Sequence, residues 1–170
     1  MAPSSDLDTS VIGQPTGAWR IRIERGPVAN FAKAVKDDNP AYQQETAPAP
    51  PTFGFVMAHW GAFASEQPDG PSGGGPSAGE TEHSPSPVMK IIGSLMQKGG
   101  MVLHGEQEFE YLGPVQVGDV LLGEGRVADV YEKESKGKVM TFLVSENEYK
   151  NEASGEVVLK TRMNLIHRAG

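Results

Sequence analysis

Two hydrophobic patterns divide the chain. From about residue 101 onward, apolar positions recur at every second residue, the period of a strand with one buried face. Gln107, Phe109 and Tyr111 alternate with Glu106, Glu108 and Glu110, and Val157, Leu159, Thr161, Met163 and Leu165 alternate with Lys160, Arg162 and Asn164. Val139 to Val144 is apolar on both faces, and a further strand runs from about Asp119 to Tyr131. Turn residues punctuate these runs: Gly113-Pro114 to Gly118-Asp119, Glu134 to Gly137, and Asn151 to Gly155. The pattern predicts an antiparallel meander of four long strands.

The first half reads differently. Trp19 to Ile23 alternates like a short strand, and Arg25-Gly26-Pro27 ends it. Proline suits the first turn of a helix, and Val28, Phe31, Ala32 and Val35 then recur at helical spacing, predicting a helix to about Lys36. Asp37-Asp38-Asn39-Pro40 stops it, because the residue before a proline is pushed out of the helical region. Ala47 to Pro51 reads as extended. Phe53 to Ala64 is apolar nearly all round, as a buried helix is. Val88, Ile91, Ile92, Leu95 and Met96 share one face of a further helix. A sheet wrapping one buried helix packs these parts economically, an α+β architecture of the hot dog type.

Composition refines the domain picture. With 170 residues the chain has enough length for one domain with a real core. The stretch from Glu66 to Pro87 is almost wholly Gly, Pro, Ser and acidic residues, too poor in apolar surface to offset its ordering entropy. It reads as a flexible insertion within a single domain spanning 17–170, preceded by a flexible N-terminus, 1–16. A net charge of −7 argues against a nucleic-acid partner. No segment approaches the apolar length of a membrane span, and no signal pattern opens the chain, so a cytoplasmic location is expected. The absence of cysteine excludes disulfides, thiolate nucleophiles and Cys-based zinc sites. Gly73-Gly74-Gly75 lacks the Lys-Ser/Thr of a phosphate loop. No cofactor and no metal are expected.

Several segments carry a family resemblance: ERGPVANFAKAVKDDNPAY, APAPPTF, LHGEQEFEY, GPVQVGDVL and RVADVYEK. In this order and spacing they resemble the N-terminal half-domain of MaoC-like dehydratases. That group includes the FAS1-like dehydratase domain and the non-catalytic subunit of the mycobacterial (3R)-hydroxyacyl-thioester dehydratase. The resemblance runs from about Gly17 through nearly the whole chain, apart from the insertion. It implies a hot dog fold, thioester substrates on CoA or acyl carrier protein, and reversible hydration of a trans-2-enoyl thioester to an (R)-3-hydroxyacyl thioester. Active members carry Asp-x-Asn-Pro-x-His, whose Asp and His hold and deprotonate a water. Backbone N–H groups at the start of the buried helix polarise the thioester carbonyl; the resemblance implies Pro51, Thr52, Phe53 and Gly54 as substrate contacts there, the N–H groups being those of Thr52, Phe53 and Gly54.

The motif maps onto Asp37, Asn39 and Pro40, but Tyr42 stands at the histidine position. A phenol is a poor general base at neutral pH. The family's paired architecture implies that a chain of this kind shapes the acyl site beside a second hot dog subunit with an intact Asp/His pair, or forms a homodimer. On their own, Asp37 and Asp38 read as a capped turn. His104 lies in an apolar strand, where a lone histidine is ordinarily structural. Glu106, two residues on and expected on the same face, makes His104–Glu106 a candidate acid/base pair and Glu106 a candidate substrate contact. His59 reads as structural, and His83 and His167 invite no role. Glu106, Glu108 and Glu110 read as a solvated face rather than a metal site. The alternatives are a self-sufficient hydratase or thioesterase, and an acyl-thioester-binding protein without chemistry.

Overall fold

The fold is that of a computed structural model, which describes residues 7–60, 87–135 and 137–168. The elements are β1 (Pro15–Arg22), α1 (Arg25–Ala34), a 3-10 turn (Pro40–Gln43), α2 (Phe53–Trp60), α3 (Pro87–Gln97), β2 (Met101–Tyr111), β3 (Val120–Ser135), β4 (Lys138–Asn151) and β5 (Val157–Arg168). The expected insertion lies almost wholly outside the described residues. The packed chain starts earlier than Gly17: Val11 is buried with Leu7 against it, and β1 begins at Pro15.

The five strands form one antiparallel sheet in the order β1-β3-β4-β5-β2. Only β3, β4 and β5 make the expected meander. β2 crosses to the far edge and pairs with β5, not β3. Alternation within each strand does not encode which neighbour it takes, so the sequence pattern could not reveal this crossover.

One face of the sheet is apolar and covered by helices. Trp19, Ile21, Leu121, Tyr149 and Leu159 pack with Phe53 and Met57 of α2 and Val28 and Ala32 of α1. A second cluster joins Ile91 and Leu95 of α3 to Val127, Val130 and Leu143. The β3 glycines belong to this packing. A side chain at Gly123 would run into the Trp19 indole, which lies over β3 and meets Tyr149 edge to face at 5.9 Å. The other face is polar and open. There Glu146 bridges Arg126 at 2.6 Å and Arg162 at 2.8 Å, and Tyr131 stacks on Phe142 at 4.9 Å beneath Lys133.

Candidate functional site

The end of α1 sets the first part of the site. Lys36 takes a left-handed φ of 60°, and the Lys36 and Asp37 amides donate back to Lys33 and Ala32 carbonyls at 3.1 and 2.9 Å. This doubled closure satisfies the last helical carbonyls and turns the chain sharply. The turn continues through side chains: Asp37 Oδ1 accepts from the Asn39 amide at 3.1 Å, and Asn39 Oδ1 accepts from the Ala41 amide at 3.0 Å. Asp37 and Asn39 therefore shape the loop, as the turn reading of Asp37-Asp38 anticipates, and both are exposed. Two consecutive Asx-type bonds deliver Tyr42 into the interior, where it is 8% exposed.

Burial first, and the Asp37 carboxylate second, hold the Tyr42 phenol above its ordinary value of 10.0. It is a neutral hydroxyl facing a carboxylate. It can donate a hydrogen bond, but it has no basicity to offer a water at neutral pH.

The second part is the entry to α2. Ala47 to Pro51 is extended, as expected: the Val117 amide donates to Ala47 and the Ala49 amide to Val115, at 2.9 and 2.8 Å. These bonds fix where α2 begins. Gly54 is buried there, and a Cβ on it would stand 3.0 Å from both Leu159 Cδ2 and Phe109 Cδ1. Glycine lets the first turn of α2 sit on β5 and β2. Phe53 is a core residue, edge to face with Phe31 at 5.5 Å, while Pro51 and Thr52 are exposed.

Tyr111, at the end of β2, joins the two parts. Its hydroxyl donates to the Pro51 carbonyl at 3.0 Å, with the Pro50 carbonyl at 3.4 Å. Burial raises its pKa from 10.0, a hydrogen bond with the Gly54 backbone pulls it back, and Tyr42 pushes it up again. Asp37, Tyr42, Tyr111, Pro51 and Gly54 are thus brought together at the start of α2. Sequence reasoning missed Tyr111. Its only signal was its parity with Gln107 and Phe109, which marks a face but not a destination.

His104 and Glu106 do not form the expected pair. A bulge in β2 sets Gly105 and Glu106 against Asn164 alone, since His104 pairs with Leu165 and Gln107 with Met163. The extra residue breaks the period of two. His104 stays on the helix side, 5.3 Å from the Phe55 ring, whereas the Glu106 carboxylate accepts from Asn164 Nδ2 at 3.0 Å. Leu165 and Asn164 are consecutive in β5 and face opposite ways, so His104 and Glu106 do too. His167 is buried, with Nε2 2.7 Å from the Gly99 carbonyl. His83 lies outside the described residues.

A groove of about 560 Å³ crosses the open face of the sheet, walled by Glu108, Glu110, Arg126, Glu146, Lys160 and Arg162 among others. Its walls are largely a ladder of charges, unsuited to an acyl chain. Among the described residues no group of three or more His, Asp or Glu is placed to hold a metal, and no helix is long and apolar enough to cross a membrane.

Comparison with known proteins bears on the family and the fold. The model of the FAS1-like dehydratase domain region matches residues 10–161. A UPF0336 protein of Streptomyces griseus is 27% identical over 96% of both chains. Another, of Streptomyces coelicolor, is 30% identical over 68% of this chain and 67% of its own. Among solved structures, the HadBC (3R)-hydroxyacyl-ACP dehydratase complex of Mycobacterium tuberculosis superposes with TM-score 0.59 at 20% identity, covering 94% of this chain and 99% of that one. The ChsH1-ChsH2 complex of the same organism gives 0.67 at 17% identity, covering 92% and 86%. A MaoC-like dehydratase of Rhodospirillum rubrum gives 0.57 at 16%, covering 100% and 99%. Family match and superposition agree with the helix-wrapping sheet: the chain is a hot dog protein and belongs to the FAS1-like dehydratase domain region family.

Proposed function

We propose that this chain is the substrate-binding, non-catalytic half of a heteromeric (R)-specific enoyl-thioester hydratase, running in reverse as a 3-hydroxyacyl-thioester dehydratase. The observation that carries this reading is the Tyr42–Asp37 pair: a buried, neutral phenol where the reaction needs a base. Tyr111 supports it. Its hydroxyl engages the Pro51 carbonyl and the Gly54 backbone, the region that a thioester carbonyl has to reach. The bulge turns Glu106 to the face opposite His104, where it accepts from Asn164 instead.

The partner in this reading is a second hot dog chain with an intact Asp-x-Asn-Pro-x-His motif. β2 is an edge strand of 11 residues, with Met101 and Leu103 exposed by 47% and 42%. A long edge strand leaves a row of backbone N–H and C=O groups open to pairing with another sheet, and its first residues add exposed apolar surface. Both mycobacterial neighbours are described as complexes. The substrate is an enoyl thioester on CoA or acyl carrier protein.

The test is hydration of crotonyl-CoA and longer enoyl-CoA by the pure chain and by the chain co-expressed with its partner. Turnover is expected only in the complex, and should vanish when the partner's histidine is replaced. Family-typical turnover by the pure chain, abolished by Asp37→Asn, would overturn the assignment. If no partner and no turnover are found while thioester binding persists, the chain is an acyl-binding protein.

A further inference from the structure

The open face of the sheet is charged at one end and apolar at the other. Val139 to Val144 of β4 is apolar on both sides of the strand, although an antiparallel sheet covered on one side ordinarily turns a polar face to water. Thr141 and Leu143 are buried on the helix side, which leaves Met140, Phe142 and Val144 on the open face with Glu146.

The register extends these positions into a stripe. Tyr131, Phe142, Ile166 and Leu103 stand side by side on β3, β4, β5 and β2. Leu103 is 42% exposed and the other three are half-buried. Lys133 lies over Tyr131 and Phe142, 5.2 and 5.3 Å from the ring centres. A contiguous apolar stripe on an open face marks an interaction surface.

The charges beside the stripe select its occupant. A row parallel to it crosses the same four strands as Arg126, Glu146, Arg162 and Glu108, alternately positive and negative. Such a row is its own complement when reversed. A two-fold axis running along the strands, between β4 and β5, reverses it: Glu146 of one copy then meets Arg162 of the other. The same axis sets Phe142 against Ile166 and, in the next charged row, Glu148 against Lys160. Asp129 with Glu106 and Glu124 with Glu110 become like-charged pairs, but these lie on β3 and β2. A sheet that wraps its helices is convex on its open face, so two such faces touch along their middle strands and part toward β3 and β2. Along β4 and β5 the charged and apolar positions match, as an isologous contact requires. A different partner would have no need of a face that complements itself.

We propose that the open face docks a second copy of this chain, apolar stripe on apolar stripe, with Glu146 of each copy against Arg162 of the other. Sheets packed in this way keep their strand directions within about 30°. The contact leaves the β2 edge free and does not rest on the function proposed above.

Sedimentation equilibrium of the full chain tests this. The mass should double as concentration rises through the micromolar range. Phe142→Glu sets a carboxylate against the apolar stripe of the second copy and should weaken association at least about tenfold. Val139→Glu changes the same strand on its helix-facing side and should leave association as in the parent protein. Arg162→Glu opposes like charges at the contact and should weaken it, and adding Glu146→Arg in the same chain should restore it. That rescue decides the matter even if Phe142→Glu fails to fold. The proposal is overturned if the mass does not double, if folded Phe142→Glu associates as the parent does, or if the charge-exchanged double variant associates no better than Arg162→Glu alone. Association through the β2 edge alone would give the second of these results. Hydration activity enters none of them, so failure of the proposed reaction and failure of this contact are read separately.

Discussion

The Tyr111 hydroxyl lies 3.0 Å from the Pro51 carbonyl oxygen, and so ties the end of β2 to the residue that precedes α2. These residues are 60 positions apart in sequence. The bond closes the site on the side facing β2, while Tyr42 and Asp37 close it on the side facing α1. Tyr111→Phe keeps the ring and deletes the bond. The ring is partly exposed, so water replaces some of what is lost. The expected cost is about 1 kcal/mol in urea unfolding, with faster exchange of the Gly54 amide. Exchange as slow as in the parent protein would show that the tyrosine does not restrain the start of α2.

Tyr42→Phe tests the division of labour between the two halves of the proposed enzyme. A group that transfers the proton contributes on the order of 10²–10⁴ in rate. Because Tyr42 only donates a hydrogen bond near Asp37, kcat of the two-chain complex should change by less than about tenfold, with the effect falling mainly on KM. A loss of kcat in the full acid–base range would make Tyr42 a catalytic residue.

Burial holds Tyr149 far above 10.0, and Tyr42 and Tyr111 are also raised. A folded state that keeps a proton the unfolded chain releases loses stability as pH rises. Stability from these phenols is fully present below about pH 10, their unfolded value, and falls away as pH climbs through the folded values. Thermal unfolding between pH 8 and 11 should show this alkaline decline, and Tyr149→Phe should flatten it. An identical decline in the variant would assign it to other groups.

Gly123→Ala forces a methyl into the Trp19 indole. The ring is 4% exposed and held against Tyr149, so it has little room to retreat. Overpacking of this kind costs about 1–3 kcal/mol. Denaturant unfolding with Trp19 fluorescence as reporter should show that loss together with a red-shifted native spectrum. Neither change would appear if β3 simply bowed away.

Glu146 sits between Arg126 and Arg162 on the open face. Exposed ion pairs of this type contribute roughly 0–1 kcal/mol and are screened by salt. Glu146→Gln should therefore lower stability only slightly, with the difference shrinking as ionic strength rises. A loss well beyond that range, independent of salt, would mean that the carboxylate packs rather than pairs.

What the sequence determined by itself is the list of parts and their faces. Period two over 101–168 and period 3.6 over Val28–Val35 and Val88–Met96 give the strands, the amphipathic helices and their inward sides, because alternation and helical spacing are local consequences of backbone geometry. The Asp37-x-Asn39-Pro40 turn was legible for the same reason, its bonds spanning two residues. So was the replacement at Tyr42, since a motif is read along the chain. Tertiary structure decided the rest. It carried β2 past β3 to β5, because strand pairing depends on crossovers that leave no periodic trace. It separated His104 from Glu106, because one bulged residue reverses every later side chain in a strand. It brought Tyr111 to Pro51, because contacts between distant segments depend on register across the whole sheet.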